Sequence, residues 1–210
     1  MHRRKLLQAL DEYEQTWVSG MGAHISFDRR EEEAALVKTR EFVREFDQCF
    51  ERTFTEGHIT GSAIVMTPSL DRTLLTLHAK LGVWLQLGGH SDGDPIASRV
   101  AMREAEEESG LKALSFFPYE KVFGPGVTNP LIFDLDVHAI PARKTEAEHL
   151  HYDVRYLIIA KSPEKIALSS ESKALAWHPV GKVASLGCGR SLIRPLDKVS
   201  FLRRRLGFGG

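Results

Sequence analysis

Gly89-His-Ser-Asp-Gly-Asp-Pro95-Ile-Ala-Ser-Arg-Val-Ala-Met-Arg103-Glu104-Ala-Glu-Glu107-Glu108-Ser-Gly110-Leu111 is the stretch whose reading decides the fold. Asp94-Pro95 predicts a helix start, because Asp accepts from free first-turn amides and proline at the first helical position sacrifices no hydrogen bond. Gly110 predicts its end. Helical spacing puts Ala97, Val100, Ala101, Glu104, Glu107, Glu108 and Leu111 along one stripe, with Arg99, Arg103 and Glu106 on the other side. The first half of the stripe is small and apolar, suited to lie against a sheet; the second half is three carboxylates. One reading is a solvated acidic helix, held by Arg103–Glu107 and Glu108–Lys112 pairs worth about 0.2–0.5 kcal/mol each. The other is a metal site. Acids that continue a buried stripe require a cation, since burying ionised carboxylates alone is prohibitive. Oxygen-only ligands favour a hard ion such as Mg²⁺, which can also orient and deprotonate an attacking water.

Strand patterns surround this helix. Residues 59–67 and 73–78 alternate as strands split by a turn at Pro68-Ser69-Leu70-Asp71, and 81–87 runs into the Gly88-Gly89 break. Further strands are expected at 131–139, at 152–160 and around Trp177, a short helix at 179–185, and a last helix at 195–206 with Pro195 in its first turn. Ahead of them, Leu6, Leu7, Leu10, Tyr13 and Trp17 recur at helical spacing over 4–18. A possible Asp28-x-x-Glu31 capping box opens a second helix reaching about Phe50, with Leu36, Val43, Phe46 and Phe50 on its apolar face. The expected organisation is an N-terminal helical extension (1–56), an α/β sandwich domain with a central mixed sheet (57–186) and a C-terminal segment with a helix (187–210).

Composition narrows the function classes. Lys plus Arg (28) balances Asp plus Glu (28), so no electrostatic footprint for duplex nucleic acid or an anionic membrane is expected. Cys49 and Cys188 are far apart, without metal-binding spacing, and fit a reducing cytoplasm in which both thiols stay free. The N-terminus lacks the apolar stretch of a signal peptide, and no window approaches a bilayer span. A cytoplasmic location follows as an expectation.

The segment 89–111 resembles the Nudix box, Gly-x5-Glu-x7-Arg-Glu-U-x-Glu-Glu-x-Gly-U, and its second half is complete: Arg103, Glu104, Ala105, Glu107, Glu108, Gly110 and Leu111. Trp84-Leu-Gln-Leu-Gly-Gly89 is similar to the family's strand and double glycine, and Glu171-Ser-Lys-Ala-Leu-Ala-Trp177 to its late Glu…Trp strand. The resemblance covers about residues 57–186. It departs at one position, where the family's first Glu falls on Pro95; Asp92 or Asp94 could supply a nearby charge. The resemblance implies a sheet between helices and hydrolysis of a diphosphate linkage in a nucleoside diphosphate derivative, by attack of water on phosphorus. It implies that Glu104, Glu107, Glu108 and the carbonyl of Gly88 or Gly89 hold Mg²⁺ or Mn²⁺. It also implies that one of these acids serves as general base, with Glu104 as the first choice, that Glu107 takes part in catalysis and that Arg103 orients a carboxylate. The implied partner is a small-molecule diphosphate, and the N-terminal helices could build a homodimer surface.

Beyond the box, His149-Leu-His151-Tyr-Asp153 alternates, so a strand would carry all three polar side chains on one face. Substrate binding or a second metal site, joined by His90 or His138, stands beside a plain polar strand face as its reading. Glu146, Glu148 and Glu171 are candidates for an added acid. Gly124-Pro-Gly126 lacks the GK[ST] of a phosphate loop and reads as a turn. An isopentenyl-diphosphate isomerase is disfavoured, because that activity uses a cysteine in the segment leading into the box, and none lies between Cys49 and Cys188. A non-catalytic nucleotide-sensing or partner-binding module is the alternative to a hydrolase, and the intact acid set argues against it.

Overall fold

The computed structural model describes residues 2–20, 29–143, 147–163, 165–168 and 172–208. Its centre is a parallel pair, β1 (Gly57–Met66) and β7 (His149–Ala160), in register from Gly57↔Leu150 to Met66↔Ile159. β1 is buried along its whole length, as a strand covered on both faces should be. β2 (Arg72–His78) returns antiparallel to β1 and carries β3 (Trp84–Leu85) and β8 (Ser172–Pro179) beyond it. β4 (Leu87–His90) pairs with the middle of β1, Thr60 to Ala63. β5 (Leu114–Phe116) and β6 (Ile132–Ile140) both pair antiparallel with β7. These make one mixed sheet of eight strands, and a mixed sheet is what the strand patterns predict; β5, the short α4 (Glu120–Phe123) and β4, which runs through the expected Gly88-Gly89 break, are additions to that expectation.

α3 (Ala97–Ser109) lies across β1, β4 and β7. A Cβ on Gly61 of β1 would stand 2.7 Å from the Ala97 carbonyl and 2.8 Å from Val100 Cβ, so only glycine lets the helix approach this closely. The helix starts two residues later than Asp94-Pro95 predicts. Asp94 Oδ1 accepts from the Ile96 amide at 2.9 Å, and its carboxylate pairs with Arg99, so Asp94 shapes the turn before the helix.

Three of the other helices, the two N-terminal ones and the C-terminal one, pack against β6. α1 (Arg4–Tyr13) passes into a π-helical turn over Glu14–Val18, which buries Trp17. The Trp17 indole donates to the Ile132 carbonyl at 3.1 Å and meets Tyr119, Phe123 and Phe133 edge-on. α2 (Arg29–Glu45) buries Leu36 and Val43. It stops short of Phe50, because residues 46–50 turn so that the Cys49 carbonyl accepts from the Ile59 amide at 2.7 Å. The expected cap at Asp28 lies outside the described residues.

α5 (Arg190–Arg205) begins five residues before Pro195, which therefore sits inside the helix. A proline there leaves the Ser191 carbonyl without its helical amide. Arg155 of β7 takes that carbonyl at 2.6 Å, which explains how the helix tolerates the proline. Among the described residues, no helix is long and apolar enough to cross a membrane.

Candidate active site

Strand register builds the site. In β1 the alternating His58, Thr60 and Ser62 share one face, and parallel pairing sets His58 beside His151 and Thr60 beside Asp153 of β7. Antiparallel pairing of β6 sets His138 on the other side of His151, and β4 sets His90 beside Thr60. These side chains line a cavity of about 640 Å³, which also receives Gln86, Gly88, Gly89, Arg52 and Arg143.

The acidic end of α3 meets this cavity at the double glycine. Glu104 packs against Gly89 so closely that a Cβ there would lie 2.5 Å from the carboxylate carbon. Glu108 Oε2 accepts the Gly88 amide at 3.1 Å. Arg103 donates to Glu104 Oε1 at 2.8 Å and to the His90 carbonyl at 2.9 Å, which ties the helix to the end of β4. The buried face of α3 continues through Ala105 and Ser109, not through all three acids as the stripe predicts. Glu104 and Glu108 flank it, half-buried, and Glu107 is exposed. The buried stripe is narrower than the spacing predicts, because the smaller Ala105 and Ser109 fill it.

Asp153 occupies the floor. Its carboxylate accepts from Thr60 (2.8 Å), Ser62 (2.7 Å), Gln86 (3.2 Å) and Arg155 (2.8 Å), so its oxygens are committed to holding β1, β7 and the segment before β4 together. Around it stand the imidazoles. Ring centroids of His58 lie 4.6 Å from His151, 5.0 Å from His149 and 5.1 Å from His90, and His138 lies 5.5 Å from His151. Burial, with repulsion from neighbouring histidines, lowers His58 to about 4 and His151 to about 2, so both are neutral near pH 7.

Gly89, His90, His149, His151 and Asp153 thus line one cavity, with Glu104 and Glu108 against its double glycine, while Glu107 is exposed. Glu171 and Glu146 lie outside the described residues, and Glu148 is exposed. Sequence reasoning passed over His58, Thr60, Ser62 and Arg155. The first three carried a usable signal, an alternating His-x-Thr-x-Ser run entering a strand, but the expected strand began one residue after His58.

No family model matches the chain, and no curated protein matches it in sequence. Solved structures do match it. An Ap4A hydrolase from C. elegans, in a binary complex, is 15% identical, with 69% of this chain and 96% of that one covered and a TM-score of 0.51. A Nudix hydrolase from M. smegmatis is 17% identical over 70% and 87% of the two chains, with a TM-score of 0.49. A NUDIX-family hydrolase from Clostridium perfringens is 23% identical over 71% and 97%, with a TM-score of 0.47. At such identities the likeness is one of fold, and the chain adopts the Nudix-like architecture that its 89–111 segment implies.

Proposed function

We propose that this protein hydrolyses a diphosphate linkage in a small nucleotide derivative, with a divalent cation held by α3. The observation that carries the reading is the convergence of the Glu104 and Glu108 carboxylates on the Gly88–Gly89 backbone beside the cavity. The donor set suits Mg²⁺ or Mn²⁺: carboxylate oxygens on one helix turn, and a glycine position where any side chain would displace the acid. Glu104, Glu107, Glu108 and the Gly89 carbonyl would hold the ion. When bound, it supplies charge neutralisation at the phosphates and lowers the pKa of water.

The remaining work falls to the chain. Arg103 fixes Glu104 by a direct ion pair and anchors itself on the His90 carbonyl, so the carboxylate is oriented before substrate arrives. Glu104 then accepts the proton of the attacking water as general base. Glu107, exposed near the end of α3, would add charge and a further ligand oxygen. Arg52 and Arg143 line the cavity and would donate to phosphate oxygens, while Phe54 and Leu81 offer apolar surface for a base. Positioning and charge neutralisation suffice for in-line displacement at phosphorus.

The test is a turnover panel of (d)NTPs, nucleotide sugars, ADP-ribose, dinucleotide polyphosphates and coenzyme A, with products identified. Metal-dependent cleavage is expected for at least one compound, falling at least about 100-fold in Glu104→Gln and in Glu107→Gln. Nucleotide binding without cleavage of any compound overturns the hydrolase reading in favour of a sensing module.

A further inference from the structure

A cluster of imidazoles in the same cavity calls for a ligand that the carboxylate site does not explain. We propose that His58, His149 and His151 form a separate site for a divalent transition-metal ion of the zinc type. One ligand atom from each lies within 4.8 Å of the others. Neither ring nitrogen of His58 has a hydrogen-bond partner, although the residue is only 1% exposed, and His151 Nε2 is equally unpartnered. Buried polar atoms are nearly always satisfied, and leaving them bare is costly. A metal ion takes up such lone pairs.

The surroundings are arranged as metal-binding histidines need. His149 Nδ1 lies 2.9 Å from the Ala147 carbonyl, so it carries the proton and leaves Nε2 as a lone-pair donor. His138, next to His151, donates Nδ1 to Asp136 at 2.9 Å and so has the same tautomer beside the site. Imidazole nitrogen selects zinc, copper, nickel or iron over magnesium, so this site and the acids of α3 would sort different ions. Three histidines with an open fourth position leave room for water or a phosphate oxygen. Tetrahedral zinc sets its nitrogens roughly 3.3 Å apart, given bond lengths of about 2.0–2.1 Å, so the rings draw together by small rotations on binding. Direct phosphate binding by the cluster is the weaker alternative, because the buried His58 and His151 carry no charge for an anion.

The experiment uses the full chain, stripped of metal by chelation and titrated with Co²⁺ alone, then with Zn²⁺ in competition. Wild type is expected to bind one imidazole-site Co²⁺ per chain with the visible absorption of low-coordinate cobalt, and to lose that absorption to Zn²⁺. The band should persist in Glu104→Gln/Glu108→Gln and weaken at least about 100-fold in affinity in His149→Ala/His151→Ala. His149 is half-exposed, so His149→Ala alone is a variant that folds, and at least a tenfold loss is expected from it. A band that survives the histidine changes, vanishes with the glutamates, or never forms overturns the site. So does inorganic phosphate binding that depends on the histidines without metal. None of these readouts depends on turnover, so failure here leaves the proposed hydrolysis standing.

Discussion

Gly89 illustrates how much the site depends on a missing atom. An added Cβ would stand 2.5 Å from the Glu104 carboxylate carbon, the far end of a flexible side chain. The side chain can swing away, so Gly89→Ala should fold with stability within about 1 kcal/mol of wild type. The displaced carboxylate should still cost about 100-fold in turnover, since a misplacement of about 1 Å carries that penalty. Thermal melting and steady-state kinetics on one preparation check it; loss of both stability and activity would contradict the account. The residue scale also limits what spacing alone reveals. Glu104, Glu107 and Glu108 were identifiable from their positions, but three carboxylates on one helix end do not announce that Glu107 faces solvent and Glu108 holds a backbone amide.

Among the elements, α3 is placed by its contact with β1. Gly61 meets backbone and a β-branched side chain of the helix, neither of which can rotate out of the way. Gly61→Ala should therefore push the whole helix outward and destabilise the fold by about 1–3 kcal/mol. Because the acids ride on α3, turnover should fall with it, in contrast to Gly89→Ala. A denaturant titration that leaves the midpoint unchanged would show that the helix accommodates the methyl. α5 makes a related point about legibility. Pro195 reads locally as an early helix position, yet the helix starts at Arg190, because Arg155 from a distant strand replaces the lost amide. No local pattern contains that donor.

For the molecule as a whole, a buried charge network joins the helices to the floor of the site. Asp134 of β6 accepts from Arg155 at 3.1 Å and from Arg194 at 2.9 and 3.2 Å, with Lys198 at 3.4 Å. Burial raises its carboxyl, but Lys198, Arg194 and Arg155 outweigh that and hold it below the ordinary range. Lys198 reaches on to Glu32 of α2 at 2.6 Å, and Glu32 accepts the Tyr13 hydroxyl at 2.8 Å. Arg155 continues to Asp153, so α1, α2 and α5 brace the strand that carries His149 and His151. Burial, reinforced by Asp134, pushes Glu32 up to about 7 against the pull of Lys198. An unfolded glutamate titrates near about 4.3, so between these values the folded chain binds the extra proton. The Glu32 contribution is therefore full below about pH 4.3 and lost as pH rises through 7. Glu32→Gln keeps an acceptor for Tyr13 and removes this titration. Relative to wild type, the variant should gain stability from about pH 5 to about pH 7 in urea melts and level off above that; a difference independent of pH would refute the assignment.

By itself, the sequence determined most of the elements and the acidic character of α3. Period-two runs marked most of the main strands, and the spacing of Arg103 to Leu111 identified the acidic helix and its glycine stop. Those are local properties, carried by backbone geometry over a few residues. The tertiary structure decided which polar residues meet. His58 and His151 are far apart in sequence and adjacent because β1 and β7 pair in parallel; His138 joins them because β6 pairs antiparallel. A one-residue slip in either register would turn those rings to the opposite face, and register is set by the burial of the whole sheet. The same holds for Glu32, Asp134, Arg155, Arg194 and Lys198, whose charges are tolerable inside only because folding brings them together.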